Sequence, residues 1–238
     1  MADNRLIAAL DFHNIQDVQN LVETLGDSVS YYKVGMELFY SAGPEVITYL
    51  QKQSKNIFLD LKLHDIPNTV AEGLCSLMGL GANIVNVHAS GGLTMMRTAA
   101  ERLHAAADKQ GIPCPKIIAV TILTSINESD WQGLGMSCTI GEQVVRLAKL
   151  AQEAGLDGVV ASPQEAAAIR QACGPDFMIV TPGVRPVGAA INDQSRIATP
   201  AAALQNGATH LVVGRPIRAA EDPRAAALAI VDEMECVK

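Results

Sequence analysis

Asp60, Lys62 and Asp65 stand close together at the end of an apolar run, Ile57-Phe58-Leu59. A β-strand sends residues two apart to one face. The Asp60 carboxylate and the Lys62 ammonium would therefore leave the strand side by side. Asp65 follows where the chain turns into Ile66-Pro67-Asn68-Thr69, which reads as a helix start. Two acids and a base packed this tightly are costly to take out of water unless they pair or do work. A charged lysine beside a reacting carbon donates a proton and steadies a developing carbanion. A Schiff-base lysine would have to lose its proton, and neighbouring carboxylates push against that. Lys33, if it joins the group, adds a second cation and makes the set formally neutral, so both lysines are expected to stay charged. Asp60 and Asp65 could instead hold a divalent metal, but the adjacent ammoniums compete for that place. No metal is expected.

A second chemistry lies near the C-terminus. Pro182-Gly183-Val184-Arg185 and Val213-Gly214-Arg215-Pro216 each set a glycine close to an arginine. Glycine lets backbone N–H groups approach an oxyanion, and arginine offers a permanently charged fork. The pair points to a phosphate. The competing reading is two surface turns with solvated arginines.

The elements that must position these residues follow from the pattern. Short apolar runs recur at Leu6–Asp11, Tyr31–Gly35, Ile57–Lys62, Ile84–His88, Lys116–Leu123, Gly158–Ala161, Phe177–Thr181 and Thr209–Gly214. Several are nearly continuous in apolar residues, as strands buried on both faces are. Amphipathic stretches alternate with them, among them Gln16–Leu25, Thr94–Gln110 and Pro223–Glu235. Eight strand–helix units in 238 residues predict one (β/α)8 TIM barrel spanning residues 1–238 as a single domain. Asp11, Lys33, Asp60, Lys62, Thr124, Arg185 and Arg215 then all fall at or just past strand C-terminal ends. In such barrels those ends meet around one mouth, with the phosphate position after strands seven and eight. Two connections exceed a tight turn: 124–137, which carries Trp131, and 183–199, read as a candidate lid.

Composition narrows the function class. A net charge of −7 disfavours non-specific nucleic-acid or anionic-membrane binding, though basic groups in a cleft can still hold a small anion. The five cysteines are scattered and form no C-x-x-C pair, which argues against a disulfide framework or zinc site. No basic patch followed by an apolar stretch opens the chain, and no apolar run approaches a membrane span. A soluble cytoplasmic protein is expected.

The residues also carry a family resemblance. Asp60-x-Lys62-x-x-Asp65 with Ile66-Pro67-Asn68-Thr69 resembles the signature of the orotidine 5′-monophosphate decarboxylase family. Leu10-Asp11, Tyr32-Lys33-Val34-Gly35, His88-Ala89-Ser90-Gly91-Gly92, the Thr121–Ser125 segment and both arginine loops fit it in order. The D-x-K-x-x-D core alone is shared with sugar-phosphate enzymes of the same suprafamily. The resemblance implies cofactor-free loss of CO2 from C6 of orotidine monophosphate, giving uridine monophosphate. It implies that Lys62 protonates C6 and that Asp60 lies against the departing carboxylate. Lys33 would orient Asp60 and touch the ribose, and Asp11 would bind a ribose hydroxyl. Thr124 would lie by the pyrimidine, and Gln194 would bridge base and phosphate from the lid. Arg185, Gly214 and Arg215 would hold the phosphate. Asp65 and Thr69 would reach the site of a second subunit, making a homodimer the working unit. Two rival readings are a magnesium-dependent keto-gulonate-phosphate decarboxylase on the same barrel and a non-catalytic nucleotide-binding barrel. His13, His64 and His88 read as packed or interface histidines.

Overall fold

A computed structural model describes residues 2–186 and 198–236 of the chain. Among these residues eight parallel strands close into a barrel in chain order. They are β1 (Leu6–Ala9), β2 (Tyr31–Gly35), β3 (Asn56–Leu63), β4 (Ile84–His88), β5 (Lys116–Val120), β6 (Gly158–Val160), β7 (Met178–Thr181) and β8 (His210–Val213). Closure comes from β1 on β8, with Leu6, Ile7 and Ala8 opposite Leu211, Val212 and Val213. Helices run between the strands, so the (β/α)8 barrel expected from the alternation is the observed architecture.

The strand sequences are apolar because both faces are covered. Alternate residues, including Ile7, Tyr31, Phe58, Ile84, Ile118, Val180 and Val212, fill the barrel interior. The intervening ones, such as Leu6, Tyr32, Leu59 and Val85, pack outward against the helices in a much larger core. Moving two residues toward the C-terminal ends keeps the inward direction but changes the chemistry. Tyr31, Phe58 and Ile84 give way to Lys33, Asp60 and Asn86. The apolar plug is thus the floor on which the polar mouth is built.

The β3 strand departs from regular pairing at the place that matters. Phe58 and Leu59 lie opposite Ile84 and Val85, but the next pair is Leu63 with Val87, so β3 carries extra residues there. Only His64, Asp65 and Ile66 then separate β3 from the helix Pro67–Met78. Proline at the first helical position suits that abrupt entry, since its φ is already helical and its missing N–H would be unpaired anyway.

Strand ends fall short of expectation in places. The first strand stops at Ala9 and the fifth at Val120, which leaves Asp11 and Thr124 on loops above the barrel. Helices at Met36–Ala42, Glu128–Gly133 and Arg215–Arg218 were not foreseen. Each is too short for a helical period to be read, and local caps or turns set it instead. Asn127, for instance, accepts from the Asp130 N–H to start the second of them. The connection from 124 to 137 is accordingly packed rather than open. Trp131 is 2% exposed, and its Nε1 donates to the Cys138 carbonyl at 2.6 Å. Most of the expected lid, with Gln194, lies outside the described residues. No helix among the described residues is long and apolar enough to cross a membrane.

Candidate active site

Four charged side chains alternate in sign across the mouth. Asp60 Oδ1 lies 2.8 Å from Lys62 Nζ, and Asp60 Oδ2 lies 3.4 Å from Lys33 Nζ. Lys33 Nζ in turn lies 3.4 Å from Asp11 Oδ1. Asp60 is buried, and the Lys33 side chain is only 12% exposed. Burial alone would lower the Lys33 pKa, but the carboxylates of Asp60 and Asp11 outweigh it and hold the group above its ordinary value. Lys33 therefore stays an ammonium at neutral pH. Pairing in this way offsets part of the cost of taking the charges out of water.

The plain two-residue alternation expected of β3 is not the whole reason that Lys62 meets Asp60. Lys62 sits in the irregular stretch of the strand with φ +53°, a left-handed conformation that side chains rarely adopt. That backbone costs about 1–2 kcal/mol for a non-glycine residue. It persists only where surrounding contacts impose it, and such places cluster at functional sites. One of those contacts comes from Asn86 on β4, which is fully buried. Its Oδ1 accepts from the Lys62 backbone N–H at 2.8 Å, and its Nδ2 donates to Asp60 Oδ1 at 2.7 Å.

Two cavities open over this group. One, of about 190 Å³, has Lys33, Asp60, Lys62 and Thr124 on one side and apolar walls that include Phe58, Val120 and Ile122. The other, of about 200 Å³, is lined by Asp11, Lys33, Gly183, Arg185, Gly214 and Arg215. They share Lys33, Pro182 and Val212 and so form one continuous recess. Gly183 takes φ +76°, and a Cβ on Gly214 would stand 3.2 Å from Asp11 Oδ2. Glycine suits both positions: the φ of Gly183 disfavours a side chain, and a Cβ at Gly214 would crowd Asp11. Arg185 is buried; its Nη1 donates to the Val184 carbonyl at 3.0 Å, while its Nε has no hydrogen-bond partner among the described residues. Burial and then the nearby Arg215 press its pKa downward, yet a guanidinium remains charged at any ordinary pH. The recess thus joins an apolar slot with an acid–base pair at its side to a pocket that gathers two arginines and a lysine.

Eight of the residues singled out from sequence line this recess: Asp11, Lys33, Asp60, Lys62, Thr124, Arg185, Gly214 and Arg215. Asp65 and Thr69 do not. Both are exposed, and Asp65 Oδ1 accepts from the Ile66 N–H at 2.6 Å. The tight acid–base–acid cluster expected along β3 is therefore, within one chain, only Asp60 with Lys62. Gln194 falls outside the described residues. Among the described residues, no three or more His, Cys, Asp or Glu side chains gather as a metal-holding group. Asn86 was not singled out, although an asparagine inside Ile-Val-Asn-Val-His was a readable signal. A buried amide in a central strand must find several partners.

Residues 4–230 match the family model described as Orotidine 5′-phosphate decarboxylase / HUMPS family. The chain belongs to this family. A curated orotidine 5′-phosphate decarboxylase of Trichlorobacter lovleyi is 50% identical over 233 residues, 98% of this chain and 96% of the relative. One of Moorella thermoacetica is 49% identical over 238 residues, 100% of this chain and 94% of the relative. A crystal structure of orotidine 5′-phosphate decarboxylase from Lactobacillus acidophilus matches with a TM-score of 0.86 at 43% identity. It covers 98% of this chain and 99% of that one. Family membership extends over the acid–base strand and both arginine loops, not the D-x-K-x-x-D core alone.

Proposed function

We propose that this enzyme, a carboxy-lyase, converts orotidine 5′-monophosphate to uridine 5′-monophosphate and CO2 without a cofactor, as the last step of making that nucleotide de novo. The observation that carries this reading is the Asp60–Lys62 pair, 2.8 Å apart, where an apolar slot meets an arginine-lined pocket. A pyrimidine ring fits the chemistry of the slot, and a phosphate fits the pocket. The bond from C6 to the carboxylate breaks, CO2 leaves, and the electron pair stays on C6. The Lys62 ammonium lies beside that carbon and delivers the proton that quenches it. Asp60, held against the departing carboxylate, disfavours the charged group that is lost and keeps Lys62 aimed. Lys33 orients Asp60 and contacts the ribose, and the Asp11 carboxylate accepts from a ribose hydroxyl. Thr124 lies by the base, Gln194 spans base and phosphate, and Arg185, Gly214 and Arg215 take the phosphate. A positioned proton donor supplies on the order of 10²–10⁴-fold in rate. The rest comes from a dry, preorganised field and from phosphate binding energy spent on closure.

We also read the working unit as a homodimer in which Asp65 and Thr69 complete the partner's site. Their exposure away from their own chain's recess supports this, as do the exposed Met36, Tyr40 and Ile66 around the same turn. A reducing cytosol suits the five unpaired thiols. The direct test is incubation with orotidine 5′-monophosphate while its ultraviolet absorbance is followed. Loss of absorbance, uridine 5′-monophosphate as product and indifference to a chelator are expected. An inert substrate, or activity abolished by chelator and restored by magnesium, would sink this reading in favour of a metal-dependent sugar-phosphate enzyme.

A further inference from the structure

Asn86 stands where two requirements meet. The irregularity in β3 takes the Lys62 N–H out of the regular ladder with β4, and that N–H donates instead to Asn86 Oδ1 at 2.8 Å. A buried backbone N–H must find an acceptor. The same amide donates through Nδ2 to Asp60 Oδ1 at 2.7 Å, the oxygen that also meets Lys62 Nζ. The amide's orientation is not in doubt chemically. A backbone N–H can only donate, so the amide oxygen must face Lys62 and the NH2 must face the carboxylate. One fully buried side chain thereby grips both members of the acid–base pair, one by its main chain and one by its carboxylate.

We infer that Asn86 is a positioning residue for Lys62. It holds the left-handed backbone that turns the Lys62 side chain into the slot, and it fixes the Asp60 oxygen against which the ammonium rests. It touches no substrate atom and acts through its two neighbours. The inference rests on the decarboxylase reading above and adds to it the residue that sets where the proton donor sits. An apolar residue of similar size would leave the Lys62 N–H unsatisfied and free the carboxylate to rotate. The donor would then stray from the reacting carbon, and a displacement of about 1 Å costs on the order of 10²-fold in rate.

The groups around position 86 define a diagnostic experiment. Asp60 and Lys62 face it from β3, Lys33 reaches the same carboxylate from β2, and His88 lies two residues along β4. From β5 the register partner of Asn86 is Ile118, which does not titrate. In Asn86→Asp the new carboxyl is buried beside Asp60, so burial and like charge both favour its protonated form. Protonated, it donates to Asp60 as the amide does. Ionised, it repels Asp60. The kcat of Asn86→Asp should therefore approach that of the unmodified enzyme in acid and fall as pH rises. Protonation of His88 would act in the opposite sense, and it is present in the unmodified enzyme as the control.

Turnover of orotidine 5′-monophosphate, affinity for uridine 5′-monophosphate and the thermal midpoint would be measured across pH for the unmodified chain and for Asn86→Asp, Asn86→Ala and Asn86→Thr. The expected result is a kcat about 10²-fold lower in Asn86→Ala at every pH, with KM and product affinity little changed. Asn86→Thr, whose hydroxyl serves one neighbour at a time, should fall between and carries the test if the alanine variant does not fold. Folded variants with normal kcat, or losses confined to KM or the thermal midpoint under an unaltered pH profile, overturn the inference while leaving the decarboxylase reading intact. Failure of all three to fold overturns it as well, because Asn86 would then serve the barrel and not the lysine. An inactive unmodified chain removes the decarboxylase reading, and this inference with it.

Discussion

On the β1–β4 side of the mouth, each charge is answered by a neighbouring side chain: Asp11 by Lys33, Lys33 by Asp60, Asp60 by Lys62 and Asn86. On the β7–β8 side, Arg185, Arg215 and Lys33 line a pocket in which, among the described residues, Asp11 is the one acid. The first region is complete without a ligand, and its geometry is fixed by the fold. The second brings two guanidiniums and an ammonium to one pocket, groups suited to holding an anion. The contrast separates two jobs. Preorganised polar groups lower a barrier because they need not rearrange, whereas a basic pocket remote from the reacting carbon supplies binding energy.

Predictions that test this division run from large to small. Lys62→Ala should lose on the order of 10⁴-fold in kcat while folding and binding uridine 5′-monophosphate, because it removes the donor and leaves the arginine pocket intact. Near-normal turnover in that variant would take Lys62 out of its role. Orotidine, the substrate without its phosphate, should lose turnover as well as affinity, since energy from the β7–β8 side assists the chemistry on the other. A rise in KM with kcat unchanged would mean that the two regions work independently. Arg185→Lys keeps the charge but loses the fork, and it should weaken binding of the nucleotide roughly 10²-fold, measurable by calorimetry. Mixing inactive Lys62→Ala with inactive Asp65→Ala should restore activity, because a heterodimer contains one site with both native residues. Mixtures that stay inactive would argue that Asp65 serves its own chain or none.

The smallest effect concerns His88, which borders the balanced region with its ring 5.5 Å from that of His64. Burial, then His64 and Lys62, hold its pKa below the usual 6.5, so it is neutral at pH 7. The unfolded chain takes up this proton before the folded one does. The stability tied to neutral His88 is thus present above the ordinary histidine pKa and is lost as pH falls through the depressed value. His88→Asn should flatten that acid-side loss in a denaturation series. An unchanged slope would show that His88 does not burden the cluster on charging.

The barrel was legible because strands covered on both faces must be apolar throughout, and Leu6–Ala9 or Tyr31–Gly35 could hardly be anything else. The charged mouth was legible for the converse reason: Lys33 and Asp60 interrupt such runs, each two residues beyond an inward apolar residue. What escaped depended on contacts distant in sequence. The left-handed Lys62 and the extra residues of β3 are settled by Asn86, 24 residues away, and no local pattern announces them. The short helix Glu128–Gly133 escaped because one cap and one buried indole, not periodicity, create it. Asp65 stands outside its own chain's recess because the turn at residues 64–66 carries it away from Asp60 and Lys62, so nearness along the chain is not nearness within one subunit.

Trp131 is the chain's one tryptophan, sealed beneath the segment that follows the Thr124 loop. The fold thus holds one indole emitter in a buried setting, separable by excitation wavelength from the four tyrosines. Its emission reports on whether the polypeptide remains assembled, and a disabled variant that still glows like the parent has lost its chemistry and not its shape.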